Sequence, residues 1–300
     1  MNELDKYLFD INGYMIIENA LEQDETTELN RLIDAQNLPE PGLATSEARF
    51  GSSGSLFDEN NLSAGYLDWG APFNNLLDHP AIMDPLRFIL GDGFRIDHYY
   101  GIYMKDGTER LRLHGGNTPF DPPEYYHFQD GKVFNGLTVV AWNLCETGPE
   151  VGGFCCVPGS HKANYGCPEE IRKWEEDKEV VYNVPAKAGD MVIFNEATLH
   201  GTLPWKPKDR QRRSLLIRYS PKYLHFAGGY YDVTFPDWAD ELTEAQRSVL
   251  EPPYIYHRPL IEDDGEIYID EEIVEEIKKR LNGWQLKSFE ESYKYKVENG

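Results

Sequence analysis

A mainly β barrel or sandwich with flanking helices is the fold class this sequence predicts. Three observations predict it. Between Phe94 and Tyr219, short runs of aromatic and β-branched residues recur at close spacing, and turn dipeptides separate them. The composition is rich in strand-forming aromatics, with 19 Tyr and 14 Phe against 5 Met. A chain of 300 residues commonly forms one such all-β domain. The expected organisation is therefore a single domain over 1–300: a lead-in to about residue 90, a β core over about 91–225, and loops and helices over about 226–300.

The lead-in reads as a short helix from Glu3, an apolar strand at Tyr14-Met15-Ile16-Ile17, and a second helix starting near Gln23-Asp24-Glu25, whose acids suit a helix N-terminus. From Leu38 to Tyr66 the chain is rich in Gly, Ser, Asn and Pro without periodicity, the pattern of a long loop that covers a site or simply connects. Helical signals return at Pro80 to Leu90. Strands are expected at Phe94–Met104, Leu111–His114, Tyr125–Gln129, Lys132–Asn143, Gly153–Val157, Val180–Val184, Asp190–Asn195 and Ser214–Tyr219. Asp106-Gly107 and Asp130-Gly131 read as hairpin turns, because those pairs tolerate positive φ. After Pro221 come helical stretches at Glu241–Val249 and Asp270–Leu281, and a surface tail beyond Trp284.

The formal charge is −23, from 52 acidic and 29 basic residues, which opposes nucleic-acid phosphates and anionic lipids as partners. It also makes acyl-CoA an unattractive substrate. The one basic cluster, Lys206 to Arg213, reads as a solvated loop entering a strand. Four cysteines lie in one stretch, and the adjacent Cys155 and Cys156 point to opposite faces of a strand, so no disulfide framework is implied. No segment approaches the ~20 apolar residues of a membrane span, and a reducing cytoplasm is the expected location.

A non-haem iron oxygenase needs two imidazoles and usually a carboxylate on one face of the metal, with the other face open for a keto acid and O2. His114, ending Leu111-Arg112-Leu113, and His200, after Met191-Val192-Ile193-Phe194, are placed to meet across the mouth of a closed barrel. Twelve residues past His200, Arg212 opens a strand, where a guanidinium suits the far carboxylate of 2-oxoglutarate. Taken alone, each histidine is an ordinary one of 8, and Arg212 an ordinary strand-start ion pair.

The ordered blocks carry more than the single residues. Gly152-Gly153-Phe154-Cys155-Cys156-Val157-Pro158-Gly159-Ser160-His161-Lys162 resembles the Gly-rich strand and "PGSH" turn of phytanoyl-CoA dioxygenase-like proteins. Ala188-Gly189-Asp190 to Phe194, then His200-Gly201-Thr202, then Arg212-Arg213-Ser214, is similar to that family's next block, and Asn12-Gly13-Tyr14 to Leu21 resembles its first strand. The resemblance spans about residues 8 to 225. It implies a double-stranded β-helix (a jelly roll, cupin-like), Fe(II) and 2-oxoglutarate as cofactors, and oxidation of a small-molecule substrate with O2. It further implies His114 and His200 as iron ligands and Arg212, assisted by Thr202, as the 2-oxoglutarate site, with Arg213 the alternative one register step away. His161 in the PGSH turn reads as structural. Hydroxylation, desaturation, ring closure and halogenation all belong to this chemistry.

One departure bears on the chemistry. The family's first motif is H-x-D, and His114-Gly115-Gly116 has glycine where the acid belongs. Three readings are open: a carboxylate-free site with halide in its place, Glu196 as substitute four residues before His200, or a shifted register using His127 and Asp130. The competing class is a non-catalytic or differently metallated β-helix binding protein. Trp142 is expected in the core, and of the tyrosines 99, 100 and 103, which alternate on one strand, at most half face inward.

Overall fold

The computed structural model describes residues 1–38, 48–52, 65–174, 179–226 and 237–251, and beyond these 253, 260, 261, 265, 267, 268, 271, 275, 278 and 279. Most of the loop expected over Leu38–Tyr66, the second C-terminal helix and the tail lie outside the described residues.

The helices begin where the sequence supplies their caps. Helix α1 (Glu3–Asn12) starts on Asn2, whose side chain accepts from the Asp5 amide while Asp5 accepts from the Asn2 amide. Helix α2 (Gln23–Ala35) starts on the same reciprocal pairing of Glu22 and Glu25 and buries Thr26, Leu29 and Ile33. A short turn α3 (Ala71–Asn74) and helix α4 (Pro80–Leu90) follow, the latter with Pro at its first position, where no amide donor is missed. Later come α5 (Glu169–Arg172) and α6 (Glu244–Leu250), the second opened by a Thr243–Gln246 capping box.

The strands are β1 (Tyr14–Ile17), β2 (Ala48–Phe50), β3 (Arg95–Met104), β4 (Leu111–His114), β5 (Tyr126–Gln129), β6 (Lys132–Asn135), β7 (Thr138–Asn143), β8 (Gly153–Cys156), β9 (Tyr182–Asn183), β10 (Met191–Asn195), β11 (His200–Leu203) and β12 (Arg212–Ser220), with a small pair β13 (Leu260–Ile261) and β14 (Ile267–Tyr268). A six-stranded sheet runs β1-β10-β7-β12-β3-β2 and a four-stranded sheet β4-β11-β8-β9. All of their pairings are antiparallel. The lead-in is thus woven into the larger sheet through β1 and β2.

The alternation of side chains decides what each strand does. Tyr100, Ile102, Met104, Val139, Ala141, Val192, Phe194 and Leu216 of the larger sheet meet Phe154 and Cys156 of the smaller one, forming a core between the sheets. The opposite face of the larger sheet, with Tyr99, Tyr103, Val140, Trp142, Ile217 and Tyr219, packs under α2, α4 and α6. All three tyrosines and Trp142 are buried, and only Tyr100 faces the interior between the sheets.

Two expectations change and one holds. Asp130-Gly131 does form the hairpin joining β5 to β6. Asp106-Gly107 turns the chain from β3 in one sheet to β4 in the other, so it is a turn between sheets and no hairpin. The run Lys132–Asn143 is broken at Gly136-Leu137, whose amides donate to Tyr125 O and Pro123 O. The basic cluster is dispersed: Lys206 bonds Pro149 O, Arg210 pairs with Glu146, and Arg212 turns inward. Among the described residues no helix is long and apolar enough to cross a membrane.

Candidate metal centre

Strands β4 and β11 place His114 and His200 directly opposite each other, their rings 4.1 Å apart. Each ring is fixed by the same device. His114 Nδ1 donates to Arg112 O at 3.1 Å, and His200 Nδ1 donates to Thr198 O at 2.7 Å. A proton held on Nδ1 leaves the Nε2 lone pair as the ligating one. Burial, followed by the neighbouring His114, pushes the His200 pKa down to about 3, so its imidazole is neutral at ordinary pH.

Glu196 lies in the turn between β10 and β11, with its Oε2 3.4 Å from His200 Nε2 and its Oε1 accepting from Arg218 Nε at 2.6 Å. Its side chain is 5% exposed and that of Arg218 is 8%. Burial alone would raise the carboxyl pKa. The Arg218 guanidinium, then His200 and His114, outweigh it and bring the value down to about 2. Among the described residues no three His, Cys, Asp or Glu side chains stand ready-grouped around a metal position. The two imidazoles are set, and the nearby carboxylate leans on its arginine.

Gly115 and Gly116 explain why the acid has no place after His114. Gly115 has φ 76°, and a Cβ there would lie 2.4 Å from Glu196 O and 3.0 Å from Thr198 O, so the end of β4 packs straight onto the Glu196 turn. Gly116 has φ 92° and opens onto a separate cavity of about 400 Å3, where a Cβ would sit 3.5 Å from Arg172 Nη2. A Cβ at the motif's acid position would have Arg172 and Leu199 within 4 Å and neither histidine.

The Glu196 turn is braced from behind by the other motifs. Ser160 of the PGSH turn accepts from the Leu199 amide at 2.7 Å, and Thr198 donates to Gly13 O at 3.1 Å. His161 is buried and donates from Nε2 to Asp10 O at 2.9 Å, with burial pushing its pKa down to about 4. It is structural, as its turn implied.

The histidines open into a cavity of about 240 Å3 between the sheets. Its far part holds Arg212, Thr202, Asn143 and Leu111. Arg212 is 3% exposed and reaches Met104 Sδ, while Thr202 Oγ1 accepts from the Leu111 amide. Arg213, one residue on, points to the other face and pairs with Asp34 at 2.6 Å, so it is not brought to the site. His127 and Asp130 are not brought there either: His127 is exposed on β5 and Asp130 forms the hairpin turn.

Sequence reasoning missed Arg218, His98, Glu124, Arg49 and Phe226, all of which line the cavity. Arg218 had a signal, since strand alternation puts it on the Arg212 face of β12. Burial, then Glu196 and Asp121, raise the Glu124 pKa to about 7.

These residues suit iron and 2-oxoglutarate: two imidazoles whose Nδ1 protons are held on backbone carbonyls, a deprotonated carboxylate beside them, and a buried guanidinium lining the same cavity. The fold is shared with several solved structures. HygX from Streptomyces hygroscopicus, with nickel and 2-oxoglutarate bound, superposes with a TM-score of 0.63 at 20% identity, covering 79% of this chain and 98% of that one. The non-heme α-ketoglutarate-dependent carbocyclase SnoK from nogalamycin biosynthesis gives 0.54 at 15% identity, over 74% and 85%. The epimerase SnoN from the same biosynthesis gives 0.51 at 18%, over 78% and 89%. No curated protein matches in sequence. The family model for phytanoyl-CoA dioxygenase matches residues 9–214, which takes in β1, His114, Glu196, His200 and Arg212 and stops short of Arg218 on β12. The chain belongs to the phytanoyl-CoA dioxygenase family of iron- and 2-oxoglutarate-dependent oxygenases.

Proposed function

We propose that this oxygenase holds Fe(II) on His114 Nε2 and His200 Nε2 with Glu196 as the carboxylate, and that Arg212 and Thr202 hold the distal carboxylate of 2-oxoglutarate. The observation that carries the reading is the register pair His114 and His200, both locked by Nδ1 and both facing a cavity that runs to Arg212. Bound iron with 2-oxoglutarate and O2 supplies the power to oxidise an unactivated C–H bond of the substrate. The chain's own residues then have distinct tasks. Arg218 keeps Glu196 deprotonated and aimed; Arg212 fixes the keto acid; Phe154 and Phe194, packed within 6.3 and 4.8 Å of the His200 ring, keep water away. The substrate is a small metabolite. HygX binds hygromycin B, and a molecule with many hydroxyls suits the charged and polar residues lining this cavity, Arg49, His98, Glu124 and Arg218 among them. None of the four cysteines is in a disulfide, which supports a reducing, cytoplasmic setting.

Anaerobic titration with Fe(II) and 2-oxoglutarate tests the reading. A weak visible charge-transfer band, and succinate on admitting air, are expected; absence of both leaves a binding protein instead. His200→Ala abolishes the band. Glu196→Ala abolishes iron binding if Glu196 is the third ligand, and retained binding means a carboxylate-free site. Adding Gly116→Asp to the Glu196→Ala protein does not restore iron, because that position faces Arg172.

A further inference from the structure

Strands β3 and β12 pair residue for residue from Arg212 opposite Met104 to Arg218 opposite His98, and then slip: Tyr219 lies opposite Ile96. Asp97 is the extra residue of a β-bulge, a feature that re-aims side chains beside functional sites. Neighbours on a regular strand point to opposite faces, but here the Asp97 carboxylate folds round to its own neighbour. Oδ1 accepts from His98 Nδ1 at 2.8 Å. Oδ2 accepts from the Phe226 amide at 2.8 Å and lies 3.2 Å from His225 Nδ1, and Arg95 Nη1 stands 3.6 Å away. The Asp97 side chain is fully buried.

Fixing the Nδ1 proton fixes the tautomer, so His98 Nε2 carries the lone pair. That ring lines the cavity that holds His114, His200 and Glu196, keeps 18% of its side-chain surface exposed, and lies between Tyr100 and Phe226 at 6.2 and 6.0 Å. No group among the described residues bonds Nε2. Burial lowers the His98 pKa, Asp97 opposes it and Arg218 assists, which keeps the ring neutral.

We propose that His98 is a substrate-binding residue of this site: its Nε2, held toward the cavity by the Asp97 bulge, accepts a hydrogen bond from a hydroxyl or amine of the substrate. The geometry is an acid-oriented imidazole placed apart from the iron ligands, an acceptor in a cavity whose arginines supply only donors. It selects for substrates with an O–H or N–H near the oxidised carbon and against ethers and hydrocarbons. The proposal deepens the oxygenase reading and rests on it for the identity of the ligand as a substrate.

Diethyl pyrocarbonate, which acylates an imidazole nitrogen through its free lone pair, is the probe, with modified histidines located by peptide mass mapping and exposed His127 as internal control. It is applied to the metal-free protein and to the protein loaded anaerobically with Fe(II) and 2-oxoglutarate. His98 is expected to react in both, whereas His114 and His200 are protected only when loaded. Loss of that protection counts against the oxygenase reading alone; an unreactive His98 overturns the present proposal alone. In Asp97→Asn, the amide oxygen stays on the Phe226 N–H and the NH2 group turns to His98, forcing the proton onto Nε2. Acylation of His98 then slows by about tenfold or more, by analogy with a general base in the wrong tautomer. An unchanged rate overturns the proposal. Should that variant not fold, long-range 1H–15N spectra of histidine-labelled wild-type protein decide instead: a neutral Nδ1–H ring at His98 supports the assignment, and an Nε2–H ring ends it. For the ligand class, myo-inositol slows acylation of His98 and its hexamethyl ether does not; equal effects remove the hydroxyl preference.

Discussion

Arg218→Met removes the partner of the carboxylate that stands beside the iron position. The pair is 2.6 Å apart with side chains 8% and 5% exposed, which places it in the buried regime. Exposed pairs contribute about 0.2–1 kcal/mol. Stranding one charge of a buried pair costs about 3–5 kcal/mol, a large share of the ~5–15 kcal/mol by which domains are stable. Urea denaturation of the metal-free protein should therefore show a loss in that range, and Arg218→Met with Glu196→Gln together should recover most of it. The pH dependence has a defined sign. In the wild type, Glu196 has its pKa lowered from 4.5 to about 2, so its contribution is present above 4.5 and lost as pH falls through about 2. Without Arg218, burial raises the carboxyl above its ordinary value. The variant is then relatively better off below 4.5 and loses stability as pH rises, so the cost is greater near about pH 8 than near about pH 5. A cost under about 1 kcal/mol, or one that Glu196→Gln does not relieve, would refute the argument that this is a buried pair.

Further outcomes follow from other parts of the site. Arg212→Leu should weaken 2-oxoglutarate by about 10–100-fold in anaerobic titration, the worth of a charge-assisted hydrogen bond, with Fe(II) binding unaffected; a change of less than about threefold moves the keto acid elsewhere. Gly115→Ala should abolish iron binding, because its Cβ would press on Glu196 O, whereas Gly131→Ala, at almost the same φ of 77° with nothing within 4 Å, should cost only about 1 kcal/mol. Glu124 has its pKa raised to about 7, so its contribution is present below 4.5 and lost as pH rises through about 7. Glu124→Gln should raise the Tm relative to wild type at about pH 8 and leave it unchanged at about pH 4; equal shifts at both would count against that burial.

Much of this was legible in the sequence because it depends on local rules. Short aromatic and β-branched runs between turns announced the β core, and the resemblance of the ordered motifs proposed His114, His200, Arg212 and Thr202, which line one cavity. The acids Asp24 and Glu25 marked the start of α2. Gly13 and Ser160 were legible as motifs, but their purpose was not: they meet only behind the Glu196 turn, brought together from 147 residues apart along the chain.

The sequence by itself determined that a carboxylate is missing after His114, and strand period alone put Arg212 and Arg213 on opposite faces. Which face is the interior was decided by the packing of α2, where Asp34 takes Arg213. Only the tertiary structure settled that Gly116 lines the cavity beside Arg172, that Arg218 returns beside Glu196, and that a one-residue slip between β3 and β12 turns Asp97 onto His98. These are relations between strands distant in sequence, set by sheet order and register, and no window along the chain contains both partners.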